Sequence, residues 1–266
     1  MEFNQIAKNM TDGIGFFDPS FAGTEREALR WITDNHLSPS PLGRAAFAEA
    51  SLRTAVRIGA SQYLILGAGY DTFAYRQPDW ARNLEIFEVD LPSTAEDKKL
   101  RLKDRQNEVK DNTHYVAADL TKDEWCRILT QNPAFKKDRI TFTSILGLSY
   151  YLARQDFEYL ISMLSTILSE GSTIVFDYPD EYSNTDKAGH RAQKQAVLAK
   201  GANEEMLACY SLKEIEKLLS DFGFLVYEHL TPVQITAQYF QEYNNAHPLH
   251  PITALENVNY CLAVKK

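Results

Sequence analysis

The stretch YLILGAGYDTFAYR (residues 63–76) holds the first residues that could do chemistry. Its apolar run reads as a buried strand, and Gly67-Ala68-Gly69 lets the backbone turn sharply and approach a ligand closely. A dinucleotide turn carries a third glycine, but Thr72 stands at that position here. Carboxylates recur where later apolar runs end: Asp71 in the turn, then Asp90, Asp119 and Asp177. Asp90 lies about twenty residues past the turn, the place of an acid that accepts hydrogen bonds from ribose hydroxyls. Four acids with no basic cluster suit a neutral or cationic ligand with hydroxyl and amine donors better than a pyrophosphate. Each acid also has a plainer reading. Asp71 can cap the segment after the turn, Asp90 can serve a turn before Pro92, and Asp119 can open a helix.

The elements that must position these residues alternate. Strands are predicted at 62–67, 84–90, 114–119, 139–146 and 172–178, and helices at 93–107, 121–131 and 154–170. Ser93 with Glu96, and Thr121 with Glu124, have capping-box spacing. Upstream, helices are predicted over 24–36, with Thr24 as cap, and over 43–58. Downstream, helices are predicted over 187–207 and 211–223, then a strand over 224–230 and a last strand in VNYCLAVKK, whose direction the sequence leaves open. The fold class is α/β, a mostly parallel sheet with helices on both faces. In such sheets ligands sit beyond the carboxyl ends of the strands. We expect one domain over 1–266: a helical cap (1–60), a ligand-binding core (61–178), a lid insertion (179–210) and a C-terminal helix with strands (211–266).

The totals exclude other classes. The 266 residues carry a net charge of −8, and the Lys/Arg run at 98–105 is interrupted by Leu100, Leu102 and Asp104, so no nucleic-acid partner is expected. Three scattered cysteines without a C-x-x-C pair point to a reducing compartment. No apolar run suits a membrane span or a leader, so a cytoplasmic protein with no membrane partner is expected. Of the six histidines only His247 and His250 are close, with no third ligand in view, so no metal is expected. No nucleophile elbow or H-E-x-x-H pattern occurs. The aromatic segment QYFQEYNN (238–245) could wall an acceptor pocket or belong to the core.

Taken together, G-A-G-Y-D-T (67–72) with Arg76, F-E-V-D-L-P (87–92) and A-D-L (118–120) resemble the leucine carboxyl methyltransferase-like family, which includes bacterial polyketide-type O-methyltransferases. The match extends upstream to Arg44, with Glu49 where the family pattern has Asp, and covers about residues 44–178. The resemblance implies a class I, Rossmann-like methyltransferase fold with a seven-stranded sheet. It implies S-adenosylmethionine as cofactor, S-adenosylhomocysteine as product, and a small-molecule acceptor methylated on a carboxylate or hydroxyl. It also implies roles: Arg44 for the cofactor's methionine carboxylate, Gly67 and Gly69 against the methionine and ribose, and Asp90 for the ribose hydroxyls. Asp119 would accept from the adenine amine, with Leu120 giving backbone contact. Ala68, Asp71, Leu91 and Leu146 complete the implied cofactor-binding set.

Two positions depart from the family pattern. Leu146 stands where members carry Glu in a run like E-G-V-L-M-Y-L, which removes a partner for the cofactor's ammonium group or the acceptor. Ser144, Tyr150 or Asp177 could compensate. Phe73 follows D-T where many members have Arg. Tyr150, Tyr151 and His190 are unranked candidates for a general base, and no catalytic residue is assigned. Two other readings share these features: a nicotinamide-dependent oxidoreductase built on the same glycine turn, and a methyltransferase-fold binding protein impaired by Leu146.

Overall fold

A computed structural model describes residues 24–104, 109–122, 124–201 and 206–266. Its centre is a seven-stranded sheet in the order β3-β2-β1-β4-β5-β7-β6. The strands are β1 (Gln62–Leu66), β2 (Glu85–Asp90), β3 (Thr113–Ala117), β4 (Thr141–Ile145), β5 (Thr173–Pro179), β6 (Phe224–Leu230) and β7 (Val258–Lys265). The first five pair in parallel, and β7 runs antiparallel to both β5 and β6. Every residue of β1, β4 and β5 is buried, as strands covered on both faces require. Gln62 opens β1 inside the protein because its amide is satisfied: Nε2 donates to Lys136 O (2.9 Å) and Thr141 Oγ1 (2.8 Å), and Oε1 accepts from Lys136 N (2.7 Å).

Alternate strand residues feed two cores. Leu64, Leu66, Phe87 and Val89 pack with α4 (Glu124–Gln131), α5 (Arg154–Ile167) and α7 (Leu212–Asp221) through Trp125, Phe157, Leu164 and Ile215. Tyr63, Ile65, Ile86 and Val175 face the other side, against Phe47 and Leu52 of α2 (Pro39–Arg57) and Phe240. Helix α2 leads into the amino end of β1, so its first turns reach back to the carboxyl edge of the sheet. It lies tight on β7 there: a Cβ added at Gly43 would stand 2.6 Å from Tyr260 Oη.

Several boundaries differ from expectation. α1 (Glu25–Ile32) keeps its predicted cap, since Thr24 and Glu27 form a capping box, but Thr33–Leu37 widens into a π-helical turn. α2 starts earlier than residue 43 because Pro39 occupies its first turn, where a missing N–H costs nothing. Ser93 is not a cap; α3 (Pro92–Asp104) begins at Pro92 for the same reason. Thr121 is not a cap either, because α4 begins at Glu124 itself. β3 stops at Ala117, and α5 at Ile167. Residues 238–245 are helical. α6 (His190–Gly201) occupies the middle of the expected lid. Residues 1–23 of the expected cap, 105–107 of the expected helix and 202–205 of the lid lie outside the described residues.

Candidate functional site

A cavity of about 470 Å³ opens at the carboxyl ends of β1 and β4. Its wall includes Arg44, Gly67, Ala68, Gly69, Asp71 and Leu146, six of the ten predicted cofactor-binding residues. Pro41, Ala45, Tyr70, Thr72, Arg76 and Gly147 also line it and were not predicted. The strand-to-turn pattern pointed to Tyr70 and Thr72, which flank Asp71; nothing in the sequence pointed to Pro41.

The floor of the cavity is the turn after β1. Gly67 and Gly69 both hold positive φ (69° and 45°), which L-residues with a side chain rarely adopt. A Cβ added at Gly67 would stand 3.2 Å from Leu148 Cδ2. Asp71 accepts from Phe73 N through Oδ1 (2.6 Å), bridging over Thr72 into the short helix Phe73–Arg76 while lining the cavity. Phe73, a departure noted in the sequence, is buried against Tyr63 with ring centroids 5.1 Å apart. The charge pairing is taken up by Arg76, which grips both carboxylate oxygens of Glu49. Arg76 and Glu49 belong to the two motifs that carry the resemblance, so the structure joins α2 to the glycine turn.

Asp90 ends β2 beside that turn. Its Oδ2 accepts from Gly69 N (2.5 Å) and its Oδ1 from Leu91 N (2.7 Å), which fixes the carboxylate against the backbone of the cavity floor. Leu91 is half exposed just beyond it. Asp119 stands further along the carboxyl edge, where Ala118 N donates to Asp90 O (2.8 Å). Asp119 Oδ1 accepts from Thr121 N (2.9 Å) and Thr121 Oγ1 (2.7 Å), and these bonds lower its pKa below the ordinary carboxylate value. Leu120 is buried. Asp90, Leu91, Asp119 and Leu120 therefore follow the edge from the cavity toward β3 and lie outside its immediate wall.

The opposite wall departs most from the sequence expectation. Leu146, at the end of β4, is half-buried and lines the cavity with no charge to offer. Asp177, expected among the strand-end acids, is fully buried within β5 and does not line the cavity. Its Oδ1 accepts from Gly147 N (2.7 Å), and its Oδ2 accepts from Tyr150 Oη (2.7 Å) and stands 3.6 Å from Arg44 Nη1. Burial works against the charge on Arg44, yet Asp177 and the neighbouring tyrosines outweigh it and raise the pKa, so the guanidinium stays charged. Burial, then Asp177, pushes the Tyr150 hydroxyl far above its ordinary range; it is a donor. His190 is exposed at the start of α6 and Tyr151 is partly exposed, and neither lines the cavity.

Above this wall, α6 ties the chain together. Arg191 Nη1 donates to Asn35 O (3.2 Å) and Gln195 Nε2 to His36 O (3.1 Å), while Leu207 N donates to Tyr150 O (2.8 Å). A second, much smaller cavity of about 20 Å³ lies between α6 and the loop 255–258, with Tyr150 in its wall.

Comparisons with known proteins fit this arrangement. The Bacillus subtilis (strain 168) protein YktD, named for an inferred S-adenosyl-L-methionine-dependent methyltransferase activity, is 39% identical over 271 residues, covering 100% of this chain and 86% of that one. A similarly named Mycobacterium marinum protein is 35% identical over 138 residues, 52% of this chain and 45% of its own length, so the chain spans about half of that relative. A crystal structure from Thermobifida fusca YX, named as an inferred methyltransferase, superposes with a TM-score of 0.63 at 18% identity, covering 90% of this chain and 86% of that one. That likeness carries the fold alone. The sequence profile described as "Leucine carboxyl methyltransferase" matches residues 6–165. The chain thus belongs to the leucine carboxyl methyltransferase family and is an S-adenosylmethionine-dependent methyltransferase.

Proposed function

We propose that the protein transfers the methyl group of S-adenosylmethionine to an oxygen of a small molecule, and that this oxygen belongs to a carboxylate. The observation that supports the carboxylate is the state of the polar groups beside Arg44. Both Asp177 oxygens are engaged, and Tyr150 donates its proton to one of them. A hydroxyl acceptor needs a general base within hydrogen-bond reach; a carboxylate acceptor does not. Among the described residues of the cavity wall, only Asp71 carries an anionic side chain, and one of its oxygens is held by Phe73 N.

The residues present fit the cofactor. Arg44 offers a charged fork on the cavity wall for a carboxylate, and the side-chain-free turn at Gly67 and Gly69 leaves room for close approach. Asp90, held by two backbone amides, retains lone pairs for ribose hydroxyls. Asp119 would accept from the adenine amine, with Leu91 and Leu120 as apolar neighbours. When bound, S-adenosylmethionine supplies a methyl group already activated on a sulfonium sulfur. The chain's own share is to hold both reactants in line and to keep water out. On this reading the chain acts as one methyltransferase domain, and α6 belongs to a lid over the acceptor side, facing Tyr150 across the smaller cavity.

The test uses methyl-labelled S-adenosylmethionine with panels of small carboxylic acids and small hydroxyl compounds. Label released as methanol by mild alkali identifies a methyl ester and supports the proposal. An alkali-stable label on a hydroxyl compound would assign a hydroxyl acceptor, and label confined to nitrogen or sulfur acceptors would overturn oxygen transfer.

A further inference from the structure

Arg44 is held in an unusual seat. Helix α2 brings the guanidinium over the backbone of Gly147, the residue that follows Leu146. A Cβ added at Gly147 would collide with Arg44 Nη1 and stand 2.5 Å from its Cζ. Gly147 also has φ +66°, so a side chain there is both blocked and strained. Behind the guanidinium lies Asp177, with no exposed surface, 3.6 Å from Arg44 Nη1. The carboxylate is itself pinned by Gly147 N and Tyr150 Oη, both at 2.7 Å, and Ser149 Oγ donates to the Asp177 backbone carbonyl at 2.5 Å. Arg44 keeps 29% of its side chain exposed, at the cavity wall. A buried anion therefore grips one side of the cation and leaves the other side free for a second anion.

We propose that Asp177, with Gly147 and Tyr150, is the positioning device for Arg44, setting how tightly the amino-acid end of the cofactor is held. Asp177 touches no ligand. It acts through Arg44, whose long side chain would otherwise have to be ordered at each binding event. A buried carboxylate one strand over, on β5, is shielded from water and screened less than an acid on the cavity surface.

This inference rests on the cofactor reading above, and the experiment separates the two. S-adenosylhomocysteine carries the amino-acid end, whereas 5′-methylthioadenosine shares the adenosine and the thioether but lacks it. Binding of both is measured by calorimetry for wild type, Asp177→Asn, Arg44→Ala and the double variant. We expect Asp177→Asn to weaken S-adenosylhomocysteine about threefold to tenfold, the scale of ordering one long side chain on binding. Methylthioadenosine affinity stays within about twofold, the scatter of uncoupled sites. In the Arg44→Ala background the Asp177 substitution has no further effect, because its route to the ligand is gone. Equal weakening of both ligands, or full additivity with Arg44→Ala, overturns the positioning role. If Asp177→Asn fails to fold, Gly147→Ala evicts the guanidinium from the other side, and the same selective loss is expected; an unselective loss or none overturns the role. Failure of wild type to bind S-adenosylhomocysteine overturns the cofactor reading and this inference with it.

Discussion

At the scale of single residues, buried charge sets the sharpest expectations. Glu88 and Lys98 pair at 2.7 Å with side chains only 2% and 6% exposed, on the face of β2 that also carries Asp90. Burial raises the pKa of Glu88, and Lys98 offsets part of the rise. Lys98→Met strands the carboxylate and should cost about 3–5 kcal/mol at neutral pH by chemical denaturation. The sign with pH follows: a carboxyl whose folded pKa is raised is penalised above that pKa and relieved as it protonates. The deficit of Lys98→Met should therefore shrink as pH falls toward the ordinary carboxylate range. A deficit that stays constant with pH would mean that lost packing, not a stranded charge, is the cause. Gly67→Ala tests the turn in the same way. With φ 69° and Leu148 3.2 Å from the new Cβ, it should cost on the order of 1–2 kcal/mol in thermal unfolding and weaken S-adenosylhomocysteine.

At the scale of elements, the contact between the π-helical turn Thr33–Leu37 and α6 should respond to pH through His36. Burial pushes the His36 imidazole down to about 4 from an ordinary 6.5, with Lys194, Arg191 and His190 adding to the shift and Glu256 opposing it. A histidine with a depressed folded pKa leaves the unfolded state to take the proton first. Stability contributed here is complete above pH 6.5 and drains as pH falls toward about 4. His36→Phe should flatten that limb of a melting-temperature profile; an unchanged slope would remove His36 as its source. The elements themselves were legible to different depths. β1, β4 and β5 showed in the sequence as apolar or β-branched runs because both of their faces are covered, and β6 was predicted at its observed bounds. Thr24 and Ser211 cap helices with Glu at the third helical position. The same spacing misled at Thr121, whose hydroxyl serves Asp119 instead, and at Ser93, where Pro92 was the stronger local signal. The π-helical turns Thr33–Leu37 and Thr236–Phe240 pack against distant segments, so local spacing could not reveal them.

At the scale of the whole molecule, one sheet brings distant segments to a single edge. The glycine turn, Asp90 and Asp119 were readable because each follows its own strand, and ligand sites of open α/β sheets gather at those ends. The Arg44–Asp177 pair was not, because it joins a helix before β1 to a strand late in the chain, and no local spacing encodes that meeting. Asp177 read as one more ligand-facing acid, whereas the tyrosine and the amides around it turn it inward. Leu146 read as an uncharged position at the end of its strand, and it lines the cavity as one. On the proposed function, the cavity at the ends of β1 and β4 holds the cofactor, with Asp90 on the ribose. Calorimetry with S-adenosylhomocysteine on wild type and Asp90→Ala tests it most directly. Wild type should bind, and Asp90→Ala should bind at least about tenfold more weakly, the scale of a lost charged hydrogen bond. Equal affinity in the two proteins, with both melting cooperatively, would contradict it.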